Sequence, residues 1–254
     1  MLTCDIHGTP TGAPPLLIAH GLFGSARNWG VIAKRLSDRG LVVAVDMRNH
    51  GASPRAATQT YPEMAADLAE VIAAHGGRMD VLGHSMGGKA AMQLVLTNPD
   101  RVGRLIVADI APMAYGHSQS HLIEAMRAVD LAAVTRRSEA DAQLAASVPD
   151  TQLRAFLLQS LDAPAGRWRL NLDVLQAEMS TLTGWPGTQG RFEGPSLFLT
   201  GGDSDYVPRD ARAPIRARFP AARFAAIPRA GHWLHAERPR EFEAAVRTFL
   251  DMDA

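Results

Sequence analysis

Short apolar runs, rich in leucine and β-branched residues, alternate along the chain with longer segments whose apolar positions recur at helical spacing. This alternation predicts parallel strands joined by helical crossovers. Leu16 to His20 reads as a buried strand, followed by a glycine-rich turn and a helix over about Ala26 to Ser37. Leu41 to Asp46 is the next strand. The helix after it carries its own start signal. Thr60 with Glu63 forms a capping box, and Met64, Leu68, Val71 and Ile72 then share one face. Gly76 and Gly77 end it. Met79 to Gly83 follows as strand, then a helix from about Ser85 to Thr97 stopped by Asn98 and Pro99, then strand again over Arg104 to Asp109.

Between about Pro112 and Gly190 the rhythm breaks. That stretch shows only helical patterns, as in Leu122 to Met126, Leu153 to Leu161 and Leu172 to Met179. Strand and helix resume at Ser196 to Thr200, Arg209 to Arg218, Arg223 to Ile227 and Pro239 to Leu250. An all-helical stretch inside a parallel α/β chain reads as a cap inserted at the carboxyl edge of the sheet. The expected organisation is therefore a core over 1–111 and 191–254, with a helical cap insertion over 112–190.

The chain has 254 residues, with 26 basic and 26 acidic side chains and one cysteine. At roughly 100–200 residues per domain, this suits one large domain or one domain carrying an insertion. Zero net charge gives no field to hold a polyanion, so a nucleic-acid partner is not expected. The lone Cys4 has no intramolecular partner, and no cysteine spacing suggests a metal site, which points to a reducing, cytoplasmic compartment. Cys4 itself reads as a small apolar residue of the first strand. No apolar run approaches the ~20 residues of a membrane span, and Met1 to Asp5 has no leader character. A soluble protein without a membrane partner is expected, as monomer or dimer. Lys34 and Lys89 are the two lysines, and the arginines scatter rather than cluster.

The sharpest motif is Gly83-His84-Ser85-Met86-Gly87-Gly88, set between a predicted strand and a predicted helix. In that context G-x-S-x-G is a nucleophile elbow. The turn is too tight for side chains flanking the serine, and the helix start offers unpaired N–H groups to a developing oxyanion. Read alone, the same letters describe a glycine-rich turn with an incidental serine. Two further segments favour the elbow. His20 to Ser25 follows the first long strand, where the fold supplies its other oxyanion donor, so the amides of Leu22 and Met86 are assigned that role. Ala230 to His235 follows the last predicted strand and supplies the base, His232, that a serine hydroxyl needs. His235 stands three residues on, without a third ligand at a usual spacing, so no metal is expected. His20, His50 and His84 read as structural.

These residues carry a resemblance. The chain resembles the α/β-hydrolase superfamily over essentially its whole length, and within it the small esterases of the bacterial YbfF type, related to α/β-hydrolase domain-containing protein 11. The matching stretches are HGLFGSARNW at 20–29, VDMRNHGASP at 45–54, LGHSMGGKAAM at 82–92, ADIAP at 108–112, GGDSDYV at 201–207 and AGHWLHAERP at 230–239. The resemblance implies an α/β-hydrolase fold with a mostly parallel central sheet, flanking helices and an inserted helical cap.

The acid of the triad has two candidate places. Most α/β-hydrolases take it after the strand that follows the cap, which points to Asp203 or Asp205. Similarity to the YbfF type instead implies an acid at the end of the strand after the elbow helix, which is Asp109. Asp109 also closes an apolar run, where an unpaired carboxylate would be costly, whereas Asp203 and Asp205 sit in a polar loop. Asp109 is favoured, with Ser204 expected to hydrogen-bond the histidine.

Serine chemistry with an oxyanion hole means acyl transfer to water through an acyl-enzyme, without cofactor or metal, on a small-molecule acyl ester or thioester such as an acyl-coenzyme A. Phe23, Met113, Phe156, Trp168 and Trp233 are candidate walls of the acyl pocket, and Arg127, Arg154 and Arg169 candidate phosphate contacts. A dehalogenase would need aspartate at position 85. A cofactor-free haloperoxidase, a carbon–carbon bond hydrolase and a slow-turnover ligand receptor stay open as alternatives.

Overall fold

The expected strands form because their residues are apolar on both sides, which only a sheet covered on both faces can bury. In the computed structural model, which describes residues 1–252, every residue of the strands over Leu16–Ala19, Val42–Val45 and Met79–His84 is buried. In chain order the first elements are β1 (Cys4–His7), β2 (Leu16–Ala19), α1 (Gly30–Leu36), β3 (Val42–Val45), α2 (Tyr61–Ala74), β4 (Met79–His84), α3 (Met86–Thr97) and β5 (Val102–Ala108). An insertion carries α4 (Ser120–Arg127), α5 (Arg137–Leu144), α6 (Thr151–Leu157), β6 (Leu161–Asp162), β7 (Arg167–Trp168), α7 (Leu172–Ala177) and α8 (Met179–Thr183). The chain then returns through β8 (Ser196–Gly201), α9 (Arg212–Arg218), β9 (Ala222–Ile227), α10 (Leu234–Glu237) and α11 (Pro239–Leu250). Of the range expected for the core, Asp253 and Ala254 lie outside the described residues.

Seven strands form one sheet in the order β1-β3-β2-β4-β5-β8-β9, parallel except for β1, which runs antiparallel to β3. Alternate strand residues feed two cores. Leu17, Val43, Val81 and Val107 pack with Met64 and Leu68 of α2 and Met92 and Val95 of α3. Ile18, Ala44, Leu82 and Ala108 pack on the other face with Ile32 and Leu36 of α1 and Phe242 and Val246 of α11. The capping box of α2 is present as the sequence indicates, with Thr60 as cap and Glu63 reaching back to it.

The insertion is not purely helical. β6 and β7 pair as a short antiparallel hairpin, Leu161 opposite Trp168 and Asp162 opposite Arg167. Strands of two residues are too short to show an alternating period, which is why a helical reading covered them. Core side chains anchor the insertion by its backbone: Tyr61 Oη donates to Leu182 O at 2.6 Å, and Lys89 Nζ to Thr183 O at 3.1 Å. β5 and β8 pair directly, Ile106 opposite Leu197, so the insertion leaves the sheet intact.

Candidate active site

Four adjacent strands, β4, β5, β8 and β9, end side by side, and the loops leaving their carboxyl ends converge. The turn from β4 into α3 is the tightest. Ser85 takes the left-handed backbone φ 52°, ψ −118°, a strained conformation for a residue with a side chain. A Cβ on Gly83 would lie 2.3 Å from Gly87 O, and one on Gly87 would lie 2.4 Å from Ala19 O, so both flanks must be glycine. The Ser85 N–H donates to Ala108 O at 3.0 Å, fixing the elbow to β5.

Ser85 Oγ lies 3.0 Å from His232 Nε2, and His232 Nδ1 lies 2.8 Å from Asp109 Oδ2. This array has the serine donating to the imidazole and the imidazole Nδ1–H donating to the carboxylate. Asp109 is the first residue after β5, fully buried, with φ 53° turning its side chain toward the histidine. Its other oxygen accepts the Gly201 N–H at 3.0 Å. The alternative acids, Asp203 and Asp205, have exposed side chains on the loop after β8 and do not reach His232. Ser204 departs from its expected partner. Its hydroxyl donates to Asp109 Oδ2 at 2.5 Å, so it supports the acid and not the histidine directly. Ser204 sits between Asp203 and Asp205 and is remote in sequence from Asp109, so spacing alone does not assign its partner.

The loop after β2 closes the other side of the serine. Gly24 N donates to Gly21 O at 3.0 Å, and Phe23, at φ 64°, donates its N–H to His50 Nε2 at 3.2 Å. The turn thereby uses the amides of Phe23 and Gly24, while Leu22 stays at the wall of the cavity facing Ser85. Met86 is the first residue of α3, where an N–H has no intrahelical partner, and it lines the same cavity. A Cβ on Gly21 would lie 3.1 Å from Ser85 Cβ, so glycine is what lets this loop approach Ser85.

Buried histidines brace these loops. His20 Nδ1–H donates to Gly21 O at 2.8 Å and Nε2 accepts the Met47 N–H at 2.9 Å; burial pushes its pKa down to about 4. His50 is likewise pushed to about 3 by burial, then by neighbouring His20. His235, lowered to about 3 by burial, stacks on Trp29 with ring centroids 4.2 Å apart. Among the described residues no group of three or more His, Cys, Asp or Glu is placed to hold a metal ion.

A cavity of about 240 Å³ opens in front of Ser85. Of the expected walls, Phe23, Phe156 and Trp233 line it; Met113 and Trp168 do not. Trp168 is a packing residue of the insertion, its Nε1–H donating to Met126 O at 2.9 Å, and Met113 packs half-buried against the core. Apolar character alone does not separate a wall from a packing residue. The three candidate phosphate arginines are also committed: Arg127 to Asp173, Arg154 to Asp141 and Arg169 to Asp162.

Two residues without an assigned role in the sequence belong to this region. The Tyr206 ring stacks on His232 with centroids 3.7 Å apart. Lys89 is one helical turn beyond Ser85, buried, and desolvation lowers its pKa to about 7. Its hint was visible: one of two lysines in the chain, set in the otherwise apolar stretch after the elbow.

The family model for the alpha/beta hydrolase fold matches residues 14–239. The chain belongs to this family. The hydrolase is 39% identical over 260 residues to the sn-1-specific diacylglycerol lipase ABHD11 of Danio rerio, covering 98% of this chain and 82% of that one. It is also 39% identical to Esterase YbfF of Escherichia coli, over 93% of each chain. Among solved structures, a marine microorganism esterase superposes with a TM-score of 0.92 at 37% identity, covering 98% of this hydrolase and 100% of that chain.

Proposed function

We propose that this hydrolase is a serine esterase and thioesterase that cleaves small acyl esters through an acyl-enzyme on Ser85. The observation that carries the reading is the continuous hydrogen-bonded array from Ser85 through His232 to a buried Asp109. His232 Nε2 takes the serine proton as Oγ attacks the acyl carbonyl, and Asp109 stabilises the resulting imidazolium. The N–H groups of Leu22 and Met86 donate to the tetrahedral oxyanion. His232 then passes the proton to the departing alcohol or thiol, leaving the acyl group on Ser85. A water, deprotonated by the same imidazole, attacks the acyl-enzyme and releases the carboxylic acid.

Phe23, Phe156 and Trp233 offer apolar surface to the acyl chain, and residues 112–190 serve as the cap that shapes it. The esterase and lipase names of the relatives support this substrate class. No helix among the described residues is long and apolar enough to cross a membrane, and the single cysteine fits a reducing cytoplasm. The test is steady release of p-nitrophenol from short-chain esters, abolished in Ser85→Ala. Stoichiometric binding without turnover would instead make the protein a ligand receptor.

A further inference from the structure

The catalytic loops start from strands that are far apart. β4 and β9 are separated in the sheet by β5 and β8, which at the usual strand spacing places them about 14 Å apart. The loop after β9 must therefore reach back across two strands for His232 to meet Ser85. Three anchors of its backbone lie at and just before His232. Ala230 O accepts the Asp203 N–H at 2.9 Å, and the Gly231 N–H donates to Glu237 Oε2 at 2.7 Å. Those two anchors tie the loop to the turn after β8 and to α10. The third is His232 O, which lies 2.8 Å from His84 Nε2, and His84 is the residue immediately before the nucleophile.

We propose that His84 is a positioning residue for the reaction: its Nε2–H holds the His232 backbone and thereby sets the base against Ser85. This inference rests on the esterase reading above. The ring is held so that it cannot tip away. A Cβ on Gly21 would lie 2.8 Å from His84 Nδ1, so the oxyanion loop closes one side, and the His235 ring, 4.8 Å away, meets it edge-on. One imidazole therefore touches the nucleophile turn, the oxyanion loop and the base loop. Its chemistry suits the place. The His232 ring is 4.8 Å away and becomes a cation during turnover, so a second cation beside it would oppose catalysis. Burial, with His232 and His235 as neighbours, holds His84 well below the ordinary histidine range and keeps it a neutral donor.

The experiment compares His84→Gln with His84→Asn. The glutamine amide reaches about as far as Nε2, whereas that of asparagine stops near Nδ1. Kinetics on a short-chain p-nitrophenyl ester are normalised to active sites counted by the p-nitrophenol burst, so that misfolded protein does not enter the rate. A displacement of the base by about 1 Å costs on the order of a hundredfold, so His84→Asn is expected to lose roughly ten- to a hundredfold in kcat per site with KM nearly unchanged. His84→Gln is expected to recover most of that loss. Equal rates for the two variants, wild-type turnover per site in His84→Asn, or a loss confined to KM would each overturn the proposal. Wild-type protein that releases no p-nitrophenol would remove the esterase reading instead, and this inference with it.

Discussion

Asp109 and Asp80 are buried to the same degree, 0% and 1% exposed, at opposite ends of the sheet, yet their surroundings differ completely. Asp109, at the carboxyl end, accepts hydrogen bonds from Gly201 N, Ser204 Oγ and His232 Nδ1. Asp80, at the amino end of β4, has no hydrogen-bond partner for either oxygen among the described residues. The Arg104 guanidinium is 3.7 Å away, an ion pair beyond hydrogen-bond reach, and burial pushes the Asp80 carboxyl up to about 6. Burial of a carboxylate is therefore not what marks a site. The set of donors aimed at it is, because those donors fix its orientation.

Substitutions at both ends test this contrast. Asp109→Asn gives the largest effect, a fall in kcat of about three to four orders of magnitude, because the imidazole loses the partner that selects its tautomer and stabilises its charge. Steady-state rates on a p-nitrophenyl ester check it, and a comparable collapse in Asp205→Asn alone would move the acid to the later loop. Ser204→Ala removes one donor from the same carboxylate. About a tenfold loss in kcat is expected, in line with one hydrogen bond to a charged group.

At the other end the sign reverses. Asp80 has a folded-state pKa above its unfolded value, so folding takes up a proton between about pH 4 and 6, and stability declines as pH rises through that window. Asp80→Asn should therefore raise stability at pH 7 by about 1–3 kcal/mol, less whatever attraction to Arg104 is lost. Thermal melts at pH 7 and pH 4 check this; a gain of equal size at both values would show that ionisation is not the cause. The smallest effect is expected from Asp205→Asn, whose exposed side chain makes no contact with His232, with kcat within about twofold of wild type.

How far the sequence disclosed this arrangement follows from the physics of each part. Strands such as Leu16–Ala19 and Val42–Val45 were legible because a strand buried on both faces is apolar on both, as all of their residues are. The elbow was legible because steric crowding leaves glycine no substitute at 83 and 87. The helix Arg137–Leu144 was not, since it buries only Ala140 and Leu144 and shows no apolar stripe. The hairpin of Leu161–Asp162 with Arg167–Trp168 was too short for a period to appear. Trp168 and Met113 were misplaced as pocket walls for a different reason: the sequence marks them as apolar, but their direction depends on how the insertion packs. The same limit hid the bonding of Ser204 to Asp109, which joins the loops leaving two different strands.

The direct pairing of β5 with β8 also bears on how such a molecule can change. About 90 residues leave and re-enter the sheet between two neighbouring strands. The entropy of closing a flexible loop grows only with the logarithm of its length, so lengthening a connection tenfold costs about 2 kcal/mol. The folded insertion offsets that through contacts of its own. An ancestral chain could thus acquire, lose or rebuild this segment without re-registering the strands that carry Ser85, Asp109 and His232. The segment and the register of the sheet are separately editable parts of one polypeptide.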